Sequence, residues 1–243
     1  MGTISANEIK AVKSLSQKKF RDAEGLFVVE GEKMVREAQS SGFTIEKIYR
    51  EDEIGAEAMS RMSQCQTPPP CMAVVRQKEL GWPGSPAGLF LALDAIRDPG
   101  NLGTIIRIAD WFGLDGILAS SDTVELYNPK VVQASMGAVF RMPVRYVASL
   151  KDALKDEISS GAAVYGTLLD GEDIYASEFS TGTGNRTFLV IGNESNGISA
   201  EVRTICTGRL LIPPYPASRH GSESLNAAVA TAVAVAEFRR RAR

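Results

Sequence analysis

The sequence predicts an α/β protein: a parallel sheet covered by helices, preceded by a smaller α/β domain. Three observations carry that prediction. Beyond residue 88, short near-continuous apolar runs alternate with helical patterns, as expected for strands buried on both faces. Before residue 82, three shorter strand patterns frame two helical ones. Between them, Trp82-Pro83-Gly84-Ser85-Pro86-Ala87-Gly88 places two prolines and two glycines in seven residues. Domains are therefore expected over 1–82 and 88–243. A chain of 243 residues has room for both and can bury a core without staples.

The elements follow in order. Ile9, Val12 and Leu15 at helical spacing predict a helix over 7–20. Residues 26–29 read as a strand, and Gly31 opens a helix carrying Met34, Val35 and Ala38 on one face. Residues 43–49 alternate as a strand, Thr67-Pro68-Pro69-Pro70 breaks the chain, and 72–75 is a third strand. After the linker, 89–93 is an apolar run and 102–112 is helical, with Asn101 as its expected N-cap. Strands follow at 116–119, 143–147, 163–168, 188–191 and 210–212. Helices are expected at 129–138, with proline in an allowed first-turn position, and at 225–240, with Ser224 as N-cap.

Composition narrows the class. Hydrophobic residues make up 44% and charged residues 23%, an ordinary soluble balance. The longest apolar run, 225–238, is interrupted by Asn226, Thr231 and Glu237 and is shorter than the ~18–20 residues of a membrane span. No basic-then-apolar leader pattern opens the chain. Secreted, membrane, collagen-like and disordered classes are set aside, and a cytoplasmic location is expected. Cys65, Cys71 and Cys206 form no disulfide framework, and with His220 as the lone histidine no metal is expected. Net charge −2 and pI about 5.6 argue against a strongly basic nucleic-acid binder. Both ends are nonetheless cationic. Lys10, Lys13, Lys18, Lys19 and Arg21 face only Glu8, and Arg239, Arg240, Arg241 and Arg243 close the chain. These ends read either as solvated, solubilising termini or as contacts to phosphate.

Three segments carry the chemistry. Asp98-Pro99-Gly100-Asn101-Leu102-Gly103-Thr104-Ile105-Ile106-Arg107 leaves a strand and enters a helix, at the sheet edge where ligands bind in open α/β folds. Arg107 lies among Ile105, Ile106, Ile108 and Ala109, where an unpaired charge would cost several kcal/mol if buried. It either pairs with Asp94 or Asp110 or aims at a phosphate or reacting hydroxyl. In the second segment a buried strand ends in Gly192-Asn193-Glu194-Ser195-Asn196-Gly197. Gly192 would let backbone approach a ligand, and Glu194 could meet Arg107. An ordinary Asn/Ser/Gly turn is the other reading. The third segment is Leu210-Leu211-Ile212-Pro213 and, after a loop, Ser224-Leu225-Asn226. Asn226 opens a helix rich in Ala and Val and needs a hydrogen-bond partner if buried. No phosphate-loop or dinucleotide fingerprint competes, and one histidine leaves no Ser-His-Asp set.

Taken in order, Asn101-x-Gly103-x-x-x-Arg107, Ile191-Gly192-Asn193-Glu194-x-x-Gly197 and Ile212-Pro213…Ser224-Leu225-Asn226 resemble the three motifs of the SpoU/TrmH family of SPOUT methyltransferases. Lys19-Phe20-Arg21 and Phe27-Val28-Val29-Glu30-Gly31 resemble the L30e-like substrate-binding domain of many members. The resemblance implies a C-terminal deep trefoil knot, a homodimer and S-adenosylmethionine as methyl donor. The acceptor would be a ribose 2′-hydroxyl of ribosomal or transfer RNA. It implies Arg107 as catalytic residue, with Asn101, Glu194, Ser224 and Asn226 completing the site. Gly192, Asn193, Ile212, Leu225 and Leu168 would bind the donor, and Lys18, Lys19 and Arg21 the RNA. The loop after Ile212-Pro213 departs from the family pattern in length and carries Pro214, Pro216, His220 and Gly221. His220 either touches substrate or is solvated. Two alternatives remain open at this point: an RNA-binding protein of this fold without turnover, and an RNA base methyltransferase.

Overall fold

The computed structural model describes residues 4–216 and 224–243. In chain order the first elements are α1 (Ala6–Ser14), α2 (Lys18–Glu24), β1 (Leu26–Glu30), α3 (Glu32–Ser40), β2 (Ile45–Arg50), α4 (Glu51–Ile54), α5 (Ala56–Met62) and β3 (Cys71–Arg76). Then come β4 (Gly88–Leu93), α6 (Pro99–Trp111), β5 (Gly116–Ser120), α7 (Pro129–Ser135), a 3-10 turn (Ala138–Phe140), β6 (Val144–Val147) and α8 (Leu150–Ser159). The last elements are β7 (Ala163–Asp173), β8 (Arg186–Ile191), α9 (Ala200–Arg203), β9 (Gly208–Leu211) and α10 (Ala227–Arg241).

The chain divides into two compact units, and the division is not the contiguous one expected from the sequence. One unit joins Met1–Glu79 to Glu125–Arg141; the other joins Leu80–Val124 to Met142–Arg243. The first unit is built on an antiparallel sheet of order β1-β3-β2. Ile9, Val12 and Leu15 pack with Met59, Met62 and Met72. The expected single helix over 7–20 is two helices. Ser14 Oγ donates to the Ala11 carbonyl at 2.7 Å, and α1 stops there. Residues 125–141 belong to this unit because they complete its core. The Phe27 ring lies 4.4 Å from Tyr127, and Phe43 meets Phe140 edge-on at 5.0 Å.

Arg21, expected on the RNA-facing surface, is only 2% exposed. Its guanidinium donates to the Leu15 carbonyl at 2.7 Å and pairs with Glu125. A charge so buried and so paired is a structural cross-link, not a phosphate contact.

The second unit holds a six-stranded sheet of order β6-β5-β4-β8-β7-β9, parallel at every pair. Its centre is apolar and closed to water: Phe90, Phe188 and Val190 are fully buried in one cluster with Leu154 and Val164. From β4 the chain steps outward to β5 and β6, whereas β8 adds on the opposite side of β4. The β4/β8 border is thus where the strand order reverses, the crevice that binds ligands in such sheets.

Two helix starts differ from expectation. Asp98, not Asn101, caps α6, accepting from the Asn101 backbone at 2.8 Å, with Pro99 in the first turn. Asn226, not Ser224, caps α10, accepting from the amides of Ala228 at 3.0 Å and Val229 at 3.3 Å. The first shift frees the Asn101 side chain for other work.

Three of the C-terminal arginines make bonds within this unit. Arg239 donates to the Phe112 carbonyl at 2.9 Å and also to Gly113, closing the end of α6. Glu237 is 4% exposed and accepts from Arg240 at 2.7 Å and Arg241 at 2.6 Å. Arg241 continues to the Ile174 carbonyl at 2.6 Å and lies 4.3 Å from the Phe179 ring centre. The Arg240 and Arg241 guanidiniums hold the Glu237 carboxyl down to about 2.

Candidate active site

At the C-terminal ends of β4 and β8 two loops are stitched together before any side chain is offered to a ligand. Buried Asp94 accepts from the Ser199 amide at 2.7 Å. Ala95 takes a φ of 58°, costly for a residue with a Cβ. It is held there by its amide on Ser120 Oγ at 2.8 Å and by Asn193 Nδ2 on its carbonyl, also at 2.8 Å. Asn193 Oδ1 meanwhile accepts from the amides of Ser195 at 2.9 Å and Asn196 at 3.1 Å. A Cβ on Gly192 would stand 2.3 Å from the Gly197 carbonyl carbon and the Ile198 nitrogen. Glycine is required there by the loop's own backbone, a different reason from the ligand approach expected from sequence.

The rigid loops present a directed chain of side-chain hydrogen bonds. Asn226 Oδ1 is committed to the two amides it caps, so its Nδ2 must point away. That nitrogen donates to Asn101 Oδ1 at 2.9 Å. Asn101 is therefore oriented with Nδ2 toward Glu194, donating to Oε1 at 2.6 Å. The far end of this chain has to be an acceptor, which a carboxylate is. Glu194 is exposed, and one of its two carboxylate oxygens takes this bond.

Beside Glu194 lies a cavity of about 480 Å³. Leu168, Ile191, Leu211, Ile212 and Leu225 form its apolar wall, and Glu194 and Ser224 face it. That size falls within the roughly 300–1,000 Å³ of small-molecule sites. All five residues expected to bind the donor line it: Leu168, Gly192, Asn193, Ile212 and Leu225. Two lining residues carry no signal in the sequence, Asp170 and Arg203. His220 and Gly221 lie outside the described residues.

Arg107 does not join this cluster. It is exposed and makes no hydrogen bond or ion pair among the described residues, so neither Asp94 nor Asp110 holds it. It lies six helical steps from Asn101, about 120° around the helix and about 9 Å along it. Thr104 and Trp111 share its face, and Trp111 is 84% exposed. Lys18 and Lys19 belong to the other unit. Lys18 pairs with Asp22, and the Lys19 ammonium sits 4.7 Å from the Phe20 ring centre.

Residues 88–236 match the family model of the SpoU rRNA methylases. The chain belongs to the SpoU rRNA methylase family. Residues 6–77 of this SpoU-family chain match the model of an MRM3-like substrate binding domain. The chain is 33% identical over 253 residues to the 23S rRNA (guanosine(2553)-2′-O)-methyltransferase RlmP of Bacillus subtilis, covering 96% of each protein. It superposes on a TrmH-family protein from Porphyromonas gingivalis with TM-score 0.86 at 36% identity, covering 99% of this chain and 100% of the other. With the AdoMet-bound rRNA methyltransferase of Sinorhizobium meliloti the TM-score is 0.87 at 27% identity, covering 99% and 97%. The SpoU-family chain is an RNA methyltransferase that uses S-adenosylmethionine.

Proposed function

We propose that the chain methylates a ribose 2′-oxygen of ribosomal RNA, as a homodimer in the cytoplasm. The observation that carries this reading is the Asn226–Asn101–Glu194 chain, ending in an exposed carboxylate beside a cavity of donor size. The apolar wall suits an adenosine group. When bound, S-adenosylmethionine supplies an electrophilic methyl group on a sulfonium, so no metal need activate it. Glu194 offers its free oxygen as acceptor to the target hydroxyl, positioning the 2′-oxygen and drawing on its proton as the oxygen is methylated. Asn101, itself oriented by Asn226, keeps that carboxylate aimed. Ser224 stands at the cavity edge as a further hydroxyl partner for the nucleotide. A cysteine relay is not needed, and burial pushes the Cys206 thiol up to about 11, away from thiolate chemistry near neutral pH.

The role of Arg107 in this reading is to hold an RNA phosphate. Its helix face argues for a second copy. Thr104, Arg107 and Trp111 form one exposed stripe on α6, and Val229 and Ala236 are exposed on one face of α10, which packs on α6. A self-complementary pairing of this surface would cover Trp111 and carry Arg107 toward the partner's Glu194. The trefoil knot is supported by the path of the chain. It runs along β9 at the sheet edge, yet α10 begins at Asn101 beside the β4/β8 border. The L30e-like unit, with exposed Lys18 and Lys19, would add sequence-independent phosphate contacts.

The test is to incubate the purified protein with ribosomal RNA and S-adenosylmethionine, digest the RNA and weigh the nucleosides. A 2′-O-methylated nucleoside is expected; a base-methylated one would overturn the proposal.

A further inference from the structure

Part of β7 leaves the sheet to wall the cavity. Thr167 and Glu172 both stand opposite Leu210 of β9, so residues 168–171 loop out of the ladder between them. The loop is pressed onto β9: a Cβ on Gly171 would lie 2.6 Å from the Leu210 carbonyl carbon. At its crest Asp170 accepts from Arg203 and, at 3.2 Å, from Arg209. Asp170 and Arg203 line the cavity; Arg209 does not.

Three charged residues line that cavity among the described ones, Asp170, Glu194 and Arg203, and Arg203 is the only cation. The donor carries a single anionic group, the α-carboxylate of its amino-acid end. A guanidinium has five donors in a planar fork suited to a carboxylate, and only one Arg203 nitrogen is spent on Asp170. We infer that Arg203 receives the α-carboxylate of S-adenosylmethionine, with Asp170 as the positioning residue that turns the guanidinium to the cavity.

The inference rests on the donor occupying this cavity. A purely structural role for the pair predicts little. The side chains are 41% and 48% exposed, and ion pairs so open to water contribute little to folding.

The experiment is calorimetric titration of wild-type, Arg203→Ala and Asp170→Asn protein with two ligands. One is S-adenosylmethionine; the other is decarboxylated S-adenosylmethionine, which lacks only the carboxylate. Arg203→Ala should weaken binding of the first roughly tenfold and leave the second unchanged, as expected when a charge-assisted hydrogen bond is removed. Asp170→Asn should show a smaller effect of the same selectivity. Equal weakening for both ligands, or an unchanged affinity for the first, would overturn the role of Arg203 while leaving the cavity as donor site. A wild-type protein that binds neither ligand would remove the donor site itself, and this inference with it.

Discussion

Asn226 donates from its amide to Asn101 across 125 residues of chain, at 2.9 Å, while its carbonyl oxygen caps α10. One side chain thus fixes a helix start and the polarity of the path to Glu194. Asn226→Asp separates these duties. The carboxylate still caps, so the melting temperature should stay within a few degrees of wild type. It cannot donate, so Asn101 is left without its orienting partner and kcat should fall at least about tenfold, the scale of a misplaced reacting group. Unchanged turnover would show that the direction of this chain is irrelevant to catalysis.

Arg107→Ala should abolish methylation while calorimetric binding of S-adenosylmethionine survives. The dimer arrangement adds a sharper outcome. Mixing Arg107→Ala with Glu194→Gln, each inactive alone, should restore about a quarter of wild-type activity. Half the dimers are then mixed, and each carries one site with both groups intact. No recovery after subunit exchange would place Arg107 in the service of its own chain's site.

Trp111→Glu puts a charge in the middle of the proposed self-pairing face. Sedimentation should show monomers where the wild type is a dimer, with the circular dichroism unchanged because the residue is already exposed. A dimer that persists would move the interface elsewhere.

Reversing Lys18 and Lys19 to Glu should weaken RNA binding and lower the slope of log affinity against log salt by about two, one for each phosphate no longer neutralised. An identical slope would reduce these lysines to solubility.

Glu237 makes acid stability specific. Its carboxyl titrates at about 2 in the fold, below its ordinary value of 4.5, because Arg240 and Arg241 bind the ionised form. A lowered folded pKa stabilises above the unfolded value, so that contribution should be full at neutral pH and fade as pH falls from about 4.5 to about 2. Glu237→Gln should cost about 1–3 kcal/mol at pH 7 and flatten this acid limb in denaturant titrations. A parallel pH profile for the variant would assign the acid sensitivity to other carboxylates.

The parallel sheet and its loops are legible in the sequence because each buried strand ends abruptly in polar residues: Leu93 before Asp94, Ile191 before Gly192-Asn193-Glu194. Helices α5 and α8 leave no such mark. Each buries only a pair of residues, Met59 and Met62 in one and Leu150 and Leu154 in the other, too few to impose a period. Arg107 reads as buried because its chain neighbours are apolar. Its helical neighbours at three and four residues, Thr104 and Trp111, give the correct, exposed face. Arg21 misleads in the opposite sense: its partner Glu125 is 104 residues away, beyond the reach of any local pattern. Asp170 and Arg203 are invisible for the same reason, since a break in the β7/β9 register brings them together.

The borrowed cover of the N-terminal sheet constrains how the polypeptide can be cut or made. A fragment stopping at the proline-rich linker would present Phe27 and Phe43 to water without Tyr127 and Phe140. During synthesis the ribosome must deliver residue 141 before the first unit can finish its interior, by which time β4 and β5 have also emerged. The first unit therefore completes its interior only after part of the second has been made.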